Sequence, residues 1–225
     1  MMQIWIASAR ISAIQKVLWA PIEGIITNPT VLLQEGPDWC ATIQALAHHD
    51  FGAAHPLRKV HLQAIGTTRD KILSEMEAFR ELLAPRDLIC KIPASPGGFA
   101  AIPELVRLGL VVNVTAICTL AQAQVAAQAG AAFLSVYVAR INDYGEGGLS
   151  GFRLLEEVHS YVERLNLNVR VIAASVRDQQ QYEEVLRCGV HGVAVSPNLL
   201  VEVVEHPLTT RSLDAFHREW DENAL

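Results

Sequence analysis

Apolar runs of strand length recur eight times along the chain, and longer segments of helical period separate them. The strand candidates are residues 4–8 (IWIAS), 24–27 (GIIT), 60–64 (VHLQA), 88–93 (LICKIP), 110–116 (LVVNVTA), 133–138 (FLSVYV), 169–174 (VRVIAA) and 192–196 (GVAVS). Helix candidates include residues 67–84 and 151–165; the first has Thr68 and Asp70 near its start, as a capped helix should. Eight strand-plus-helix units are the arithmetic of an α/β (β/α)8 TIM barrel, with an open doubly wound sheet as the alternative. No linker or composition break divides the 225 residues, so a single domain spanning residues 1–225 is expected.

Charge and composition exclude several classes of partner. With 18 basic and 24 acidic residues the net charge is −6, which speaks against nucleic acid or an anionic membrane. Although 51% of the chain is hydrophobic, no apolar run approaches the length of a membrane span. The opening MMQIWIASARISAIQ lacks the basic start and apolar block of a secretory signal. Cys40, Cys90, Cys118 and Cys188 are scattered without metal or redox spacing, so a reduced, cytoplasmic protein is expected. His48 and His49 are helix neighbours that point in different directions and form no clamp by themselves. The glycine-rich GEGGLSG, residues 145–151, lacks dinucleotide-fingerprint spacing; it reads as a loop entering a helix, or as a phosphate cradle.

In a (β/α)8 barrel the active site gathers at the C-terminal ends of the strands. Here those ends are polar: Thr27 and Asn28, Gln63, Lys91, Asn113 and Thr115, Tyr137 and Arg140, Ser175 and Arg177, then Ser196. Alternation puts Ile89, Lys91 and Pro93 on one side of their strand, as it does His61 with Gln63, Asn113 with Thr115, and Ser135 with Tyr137. Singly, such residues satisfy a backbone group. Together they describe a functional mouth.

Of the four lysines, Lys91 alone sits inside an apolar run, bracketed by Cys90 and Ile92. A charge there is costly unless it is paired or neutralised. Apolar walls lower an amine's pKa, and a neutral amine attacks carbonyls to give a Schiff base. Thr115 and Tyr137 suit proton transfer, Asn28 and Gln63 suit substrate hydroxyls, and Arg140, Ser175 and Arg177 suit a phosphate. The bland account of Lys91 is a side chain that snorkels to the barrel rim.

GIITNPT, ICKIPASPGG, VNVTAICTLAQAQVAAQAGAAFLSVYVARI and VIAASVRD, in this order, resemble the transaldolase family, most closely its small branch that includes fructose-6-phosphate aldolase. The likeness covers almost the whole chain. It implies a class I (β/α)8 barrel with Lys91 forming the imine. It also implies that Asn28 and Thr115 meet substrate or a catalytic water, and that Arg140, Ser175 and Arg177 meet a phosphate. Gln63 and Tyr137 match the aldolase branch, where transaldolases carry glutamate and phenylalanine, so reversible aldol cleavage is favoured over transfer of a dihydroxyacetone unit. Tyr137 is then the general acid/base.

The resemblance has one departure. The family's first strand usually reads LDT, and here the equivalent is Ile6-Ala7-Ser8. Ala7 offers no acid or hydrogen bond, and Ser8 points to the other side of its strand. Three readings stay open: a donor lacking the hydroxyl that an aspartate would hold, slow ordinary chemistry, or loss of catalysis with retained sugar-phosphate binding. A barrel isomerase would need a carboxylate base at the mouth, where Asp143, Glu146 and Asp178 are the few acids at hand.

No metal or organic cofactor is implied, because the lysine supplies the electron sink. Expected ligands are a small ketone, an aldehyde or a sugar phosphate. SPNLLVEVVEHP reads as a short helix stopped by Pro207, followed by an amphipathic tail at about 209–224 with Leu213, Phe216 and Trp220 on one stripe. The resemblance implies a homo-oligomer, often a decamer, in which this tail reaches a neighbour.

Overall fold

The structure, a computed structural model, describes residues 1–52, 57–145 and 150–223. Eight parallel strands close into one barrel in sequence order: β1 (Gln3–Ile6), β2 (Ile22–Ile26), β3 (Lys59–Gln63), β4 (Asp87–Pro93), β5 (Val111–Ile117), β6 (Phe133–Tyr137), β7 (Arg170–Ala174) and β8 (Gly192–Val195), with β8 pairing back onto β1. Around it lie α1 (Ile11–Gln15), α2 (Pro29–Leu33), α3 (Trp39–His48), α4 (Arg69–Leu83), α5 (Pro96–Arg107), α6 (Leu120–Ala129), α7 (Val138–Tyr144), α8 (Gly151–Arg164), α9 (Gln179–Cys188) and α10 (Pro197–Glu202), with α11 (Pro207–Asn223) at the end. All eight expected strands are present, and the sheet is a closed TIM barrel, not an open sheet.

The turns from strand to helix at the barrel mouth repeat one local solution. A side-chain oxygen accepts the N–H three residues ahead, satisfying a donor that the first helical turn leaves orphaned. Asn28 Oδ1 accepts from Val31 (2.9 Å), Ser95 Oγ from Gly98 (3.2 Å), and Ser196 Oγ from Leu199 (3.2 Å). In each case proline follows the cap, at a position whose N–H has no helical partner anyway. The same property corrects one sequence expectation. Pro207 does not stop the helix after β8, which ends at Glu202; it opens α11.

Two apolar cores result. One lies between the strands and the helices. The other fills the barrel with Trp5, Ile26, Ile89, Ile172, Ala174 and Ala194. The Trp5 indole stands edge-on to His61 (centroids 4.4 Å apart) and to Phe133 (5.7 Å). Its room comes from glycines on the two strands flanking β1. A Cβ at Gly24 would lie 2.8 Å from Trp5 Cζ3 and 2.5 Å from the Lys59 carbonyl oxygen; at Gly192 it would lie 3.3 Å from Trp5 Nε1.

Gly24→Ala is therefore expected to destabilise the barrel by ~2 kcal/mol, read as a lowered urea midpoint, because overpacking against backbone cannot relax by side-chain rotation. Gly192→Ala, whose added methyl meets its nearest neighbours at 3.3 Å, should cost clearly less in the same assay.

Candidate active site

Alternation along β4 turns Lys91 into the barrel, where only 4% of it is exposed. Its Nζ donates to the Thr27 carbonyl oxygen at 2.8 Å. That acceptor is itself held in place: the Thr27 N–H and Oγ1 both donate to the His61 carbonyl oxygen, at 3.0 and 2.8 Å. Burial, followed by the nearby Arg140 charge, lowers the Lys91 pKa to about 7. Near neutrality much of the amine is uncharged and nucleophilic, so the buried head is not a snorkelling cation.

Lys91 opens onto a cavity of about 180 Å³ at the C-terminal ends of the strands. Of the sequence candidates, Thr27, Asn28, Tyr137, Arg140 and Ser175 line it with Lys91, and so does Ala7. The Arg140 guanidinium lies 4.7 Å from the Tyr137 ring centroid and has no carboxylate partner among the described residues. Ser175 takes a left-handed backbone conformation (φ 64°) as the chain leaves β7, and its carbonyl oxygen accepts from the Ala139 N–H (3.3 Å). Ser196 also lines the cavity, with Ile26, Ala174, Val176 and Ala194.

Four candidates lie outside that lining: Gln63, Asn113, Thr115 and Arg177. Gln63 pairs in register with Lys91 but borders a small apolar hollow with Leu32, Trp39 and Phe79. Gln63 Oε1 and Thr115 Oγ1, on the strands either side of β4, are buried with no hydrogen-bond partner among the described residues. Arg177 is turned away to Asp143, with Nη2 2.7 Å from Oδ2. Asp178 caps α9, accepting from the Gln181 N–H (2.8 Å). The isomerase reading thus finds no carboxylate lining the cavity among the described residues. Glu146 and residues 146–149 of the glycine-rich stretch lie outside them.

Asn113 belongs to a buried network that the sequence did not assign. Ser135 Oγ donates to Asn113 Oδ1 (3.0 Å), leaving Asn113 Nδ2 to donate to His61 Nδ1 (3.0 Å). Burial first, then the Lys91 charge, pushes the His61 pKa well below its ordinary value, so the ring stays neutral. Only its place two residues before Gln63 on the inner face of β3 hinted at this in the sequence. At β1, the Ala7 N–H donates to the Val195 carbonyl oxygen (2.8 Å), while Ser8 Oγ accepts from the Arg10 N–H (3.1 Å) outside the cavity lining.

A sequence model of the transaldolase/fructose-6-phosphate aldolase family matches residues 4–224. The chain belongs to this family. It is 30% identical over 200 residues to a probable transaldolase of Streptococcus agalactiae, covering 89% of this chain and 88% of that protein. It is 29% identical over 222 residues to a probable transaldolase of Kosmotoga olearia (98% and 97%), and 28% over 220 residues to one from Clostridium tetani (97% and 98%).

The group of described residues in this family member best arranged for a metal lies elsewhere, at the N-terminal end of β8. There His159, Glu163 and His191 cluster. Val171 N–H donates to His191 Nδ1 (3.1 Å), which fixes the ring proton on Nε2, where it faces Glu163 Oε1 (3.1 Å). The lone pair that a metal would need on Nε2 is therefore occupied by a proton.

The position of the Lys91 pKa is open to direct measurement. Competitive labelling with acetic anhydride, mapped by peptide mass, should show Lys91 reactivity rising with a midpoint near pH 7 and then levelling, where exposed lysines keep rising towards ~10.4. Between these values the unfolded chain binds the extra proton at Lys91, so this residue makes stability rise with pH from about 7 in the wild type. Above about pH 9 the Cys90 and Cys188 thiols, raised by burial to about 12 and about 11, oppose it, so the slope is read between about pH 7 and 8.5. Lys91→Met should remove that slope.

Proposed function

We propose that this protein is a class I aldolase, in which Lys91 forms a Schiff base with a ketone or ketose and reversible aldol cleavage or synthesis follows. One observation carries the reading: a buried amine with its pKa lowered to about 7, anchored by one backbone carbonyl and open to a cavity. Donating one N–H to the Thr27 oxygen orients the amine, which leaves its lone pair for a carbonyl carbon. Tyr137, on the cavity wall, then moves the protons. Gln63 and Thr115 bring two buried oxygens, without a partner among the described residues, to the strands flanking Lys91, suited to hold the water that imine formation releases and hydrolysis consumes. Asn28 and Arg140, with Ser175, receive the polar or phosphorylated end of a substrate; Arg177 joins them only by exchanging Asp143 for the ligand. Asn113 acts indirectly, by holding His61.

Transfer of a dihydroxyacetone unit is the competing reading, favoured by the name probable transaldolase that the relatives carry. Gln63 and Tyr137 favour the aldolase. Borohydride trapping with a panel of ketones, read by intact mass and peptide mapping, should place a reduced adduct on Lys91 and none on Lys91→Met. A folded protein giving no adduct with any ketone would sink the assignment in favour of sugar-phosphate binding. Tyr137→Phe should still trap the adduct yet lose about 10²–10⁴-fold in aldol turnover, the usual weight of one acid/base group.

We further propose a cytoplasmic homo-oligomer. All four cysteines are free, and no described helix is long and apolar enough to cross a membrane. Among the described residues α11 buries none of its own, and leaves Leu213, Phe216 and Trp220 at 53%, 63% and 75% exposure on one stripe. A second copy of the chain is the proposed cover for that stripe. Phe216→Ser with Trp220→Ser should shift the sedimentation mass towards the 24.6 kDa monomer while the circular dichroism of the barrel persists.

A further inference from the structure

The cavity wall is layered, and the layering bears on the donor. Asn28, Val176 and Ser196 line the cavity from beyond the strand ends; two residues earlier in the chain, Ile26, Ala174 and Ala194 line it from within β2, β7 and β8. With Ala7 at the end of β1 they make a continuous surface that offers no side-chain hydrogen bond. The backbone there is committed too: the Ala7 N–H is paired to Val195, and the Thr27 carbonyl oxygen receives Lys91. The other polar side chains of the same cavity come from beyond those strands or from elsewhere in the barrel: Asn28, Ser175 and Ser196 after the strand ends, Arg140 on α7, and Tyr137 at the end of β6, already assigned to proton transfer.

We propose that the ketone condensing with Lys91 is an alkyl ketone, such as butanone or acetone, and not a dihydroxylated one. This rests on the aldolase reading and names its donor class. A hydroxyl pressed onto the alanine wall gives up water and gains no partner, whereas a methyl or ethyl group gains apolar contact. The chemistry balances without a further reactant. The amine adds to the ketone and water leaves, giving the imine, which takes up a proton on nitrogen; loss of a proton from the adjacent carbon then gives the neutral enamine. The enamine carbon attacks an aldehyde carbon, the aldehyde oxygen takes up the proton lost from carbon, and water hydrolyses the protonated imine, freeing Lys91 and releasing the nitrogen's proton. One ketone and one aldehyde become one β-hydroxyketone.

The test is the borohydride-trapped Lys91 adduct measured against concentration for butanone, acetone, hydroxyacetone and dihydroxyacetone. Each ketone is normalised to its adduct with free Nα-acetyl-lysine to remove intrinsic carbonyl reactivity. The half-saturating concentration should be at least tenfold lower for butanone than for dihydroxyacetone. Ala7→Ser and, separately, Ala194→Ser add a neutral hydrogen-bonding group to the wall, and each folded variant should narrow that ratio several-fold. Equal or tighter dihydroxyacetone trapping by the wild type would overturn the alkyl-donor inference and leave the Schiff base standing, as would a ratio that neither serine moves. Absence of any adduct would instead remove the aldolase reading itself.

Discussion

Closure of the barrel, with β8 hydrogen-bonded back onto β1, is the constraint from which the remaining geometry follows. A closed parallel sheet leaves no edge, and every inward side chain must share one interior. Gly24 and Gly192 exist as glycines because the Trp5 indole crosses between their strands. Above Trp5, the same inward alternation delivers His61, Asn113, Ser135 and Lys91, buried polar groups each of which finds at least one partner, although His61 Nε2 has none among the described residues.

The partners come from one chain of bonds. Ser135 serves Asn113, Asn113 serves His61, the His61 carbonyl oxygen holds Thr27, and the Thr27 carbonyl oxygen holds Lys91. The amine is kept by a neutral dipole, and among the described residues no carboxylate lines its cavity to favour the charged form. Burial and the Arg140 charge therefore both act to neutralise it, and the same arrangement that costs stability yields a nucleophile. The mouth has one further asymmetry: a guanidinium with no carboxylate partner among the described residues and helix caps beyond the strand ends, alanines and an isoleucine at the strand ends themselves. It favours a ligand that is polar at one end and apolar at the other.

The eight strands, the barrel and the special position of Lys91 were legible in the sequence because period-two runs broken by helical segments report burial directly. The tail was less so: Pro207 reads equally as a helix stop or a helix start, and only the path of the chain after Glu202 chose the latter. The candidate site was legible as a set of strand ends, but not in its division between cavity and surroundings. Arg177 follows β7 as closely as a ligand-binding arginine should, yet Asp143, thirty-odd residues away, takes its guanidinium. Thr27 reads as one of the polar strand ends of the mouth, and what it gives Lys91 is a backbone carbonyl that no residue type announces. His61 looks like a core histidine, and the tautomer it adopts is set by Asn113, fifty-two positions later.

By itself, then, the sequence determined which residues point inward and at which end of the barrel the candidate polar groups collect, since both depend on local periodicity and chain order. Tertiary structure decided what those residues do to one another. A pKa, a hydrogen-bond partner and the polarity of a cavity wall are set by distances across strands that are remote in the chain, and periodicity carries no information about them.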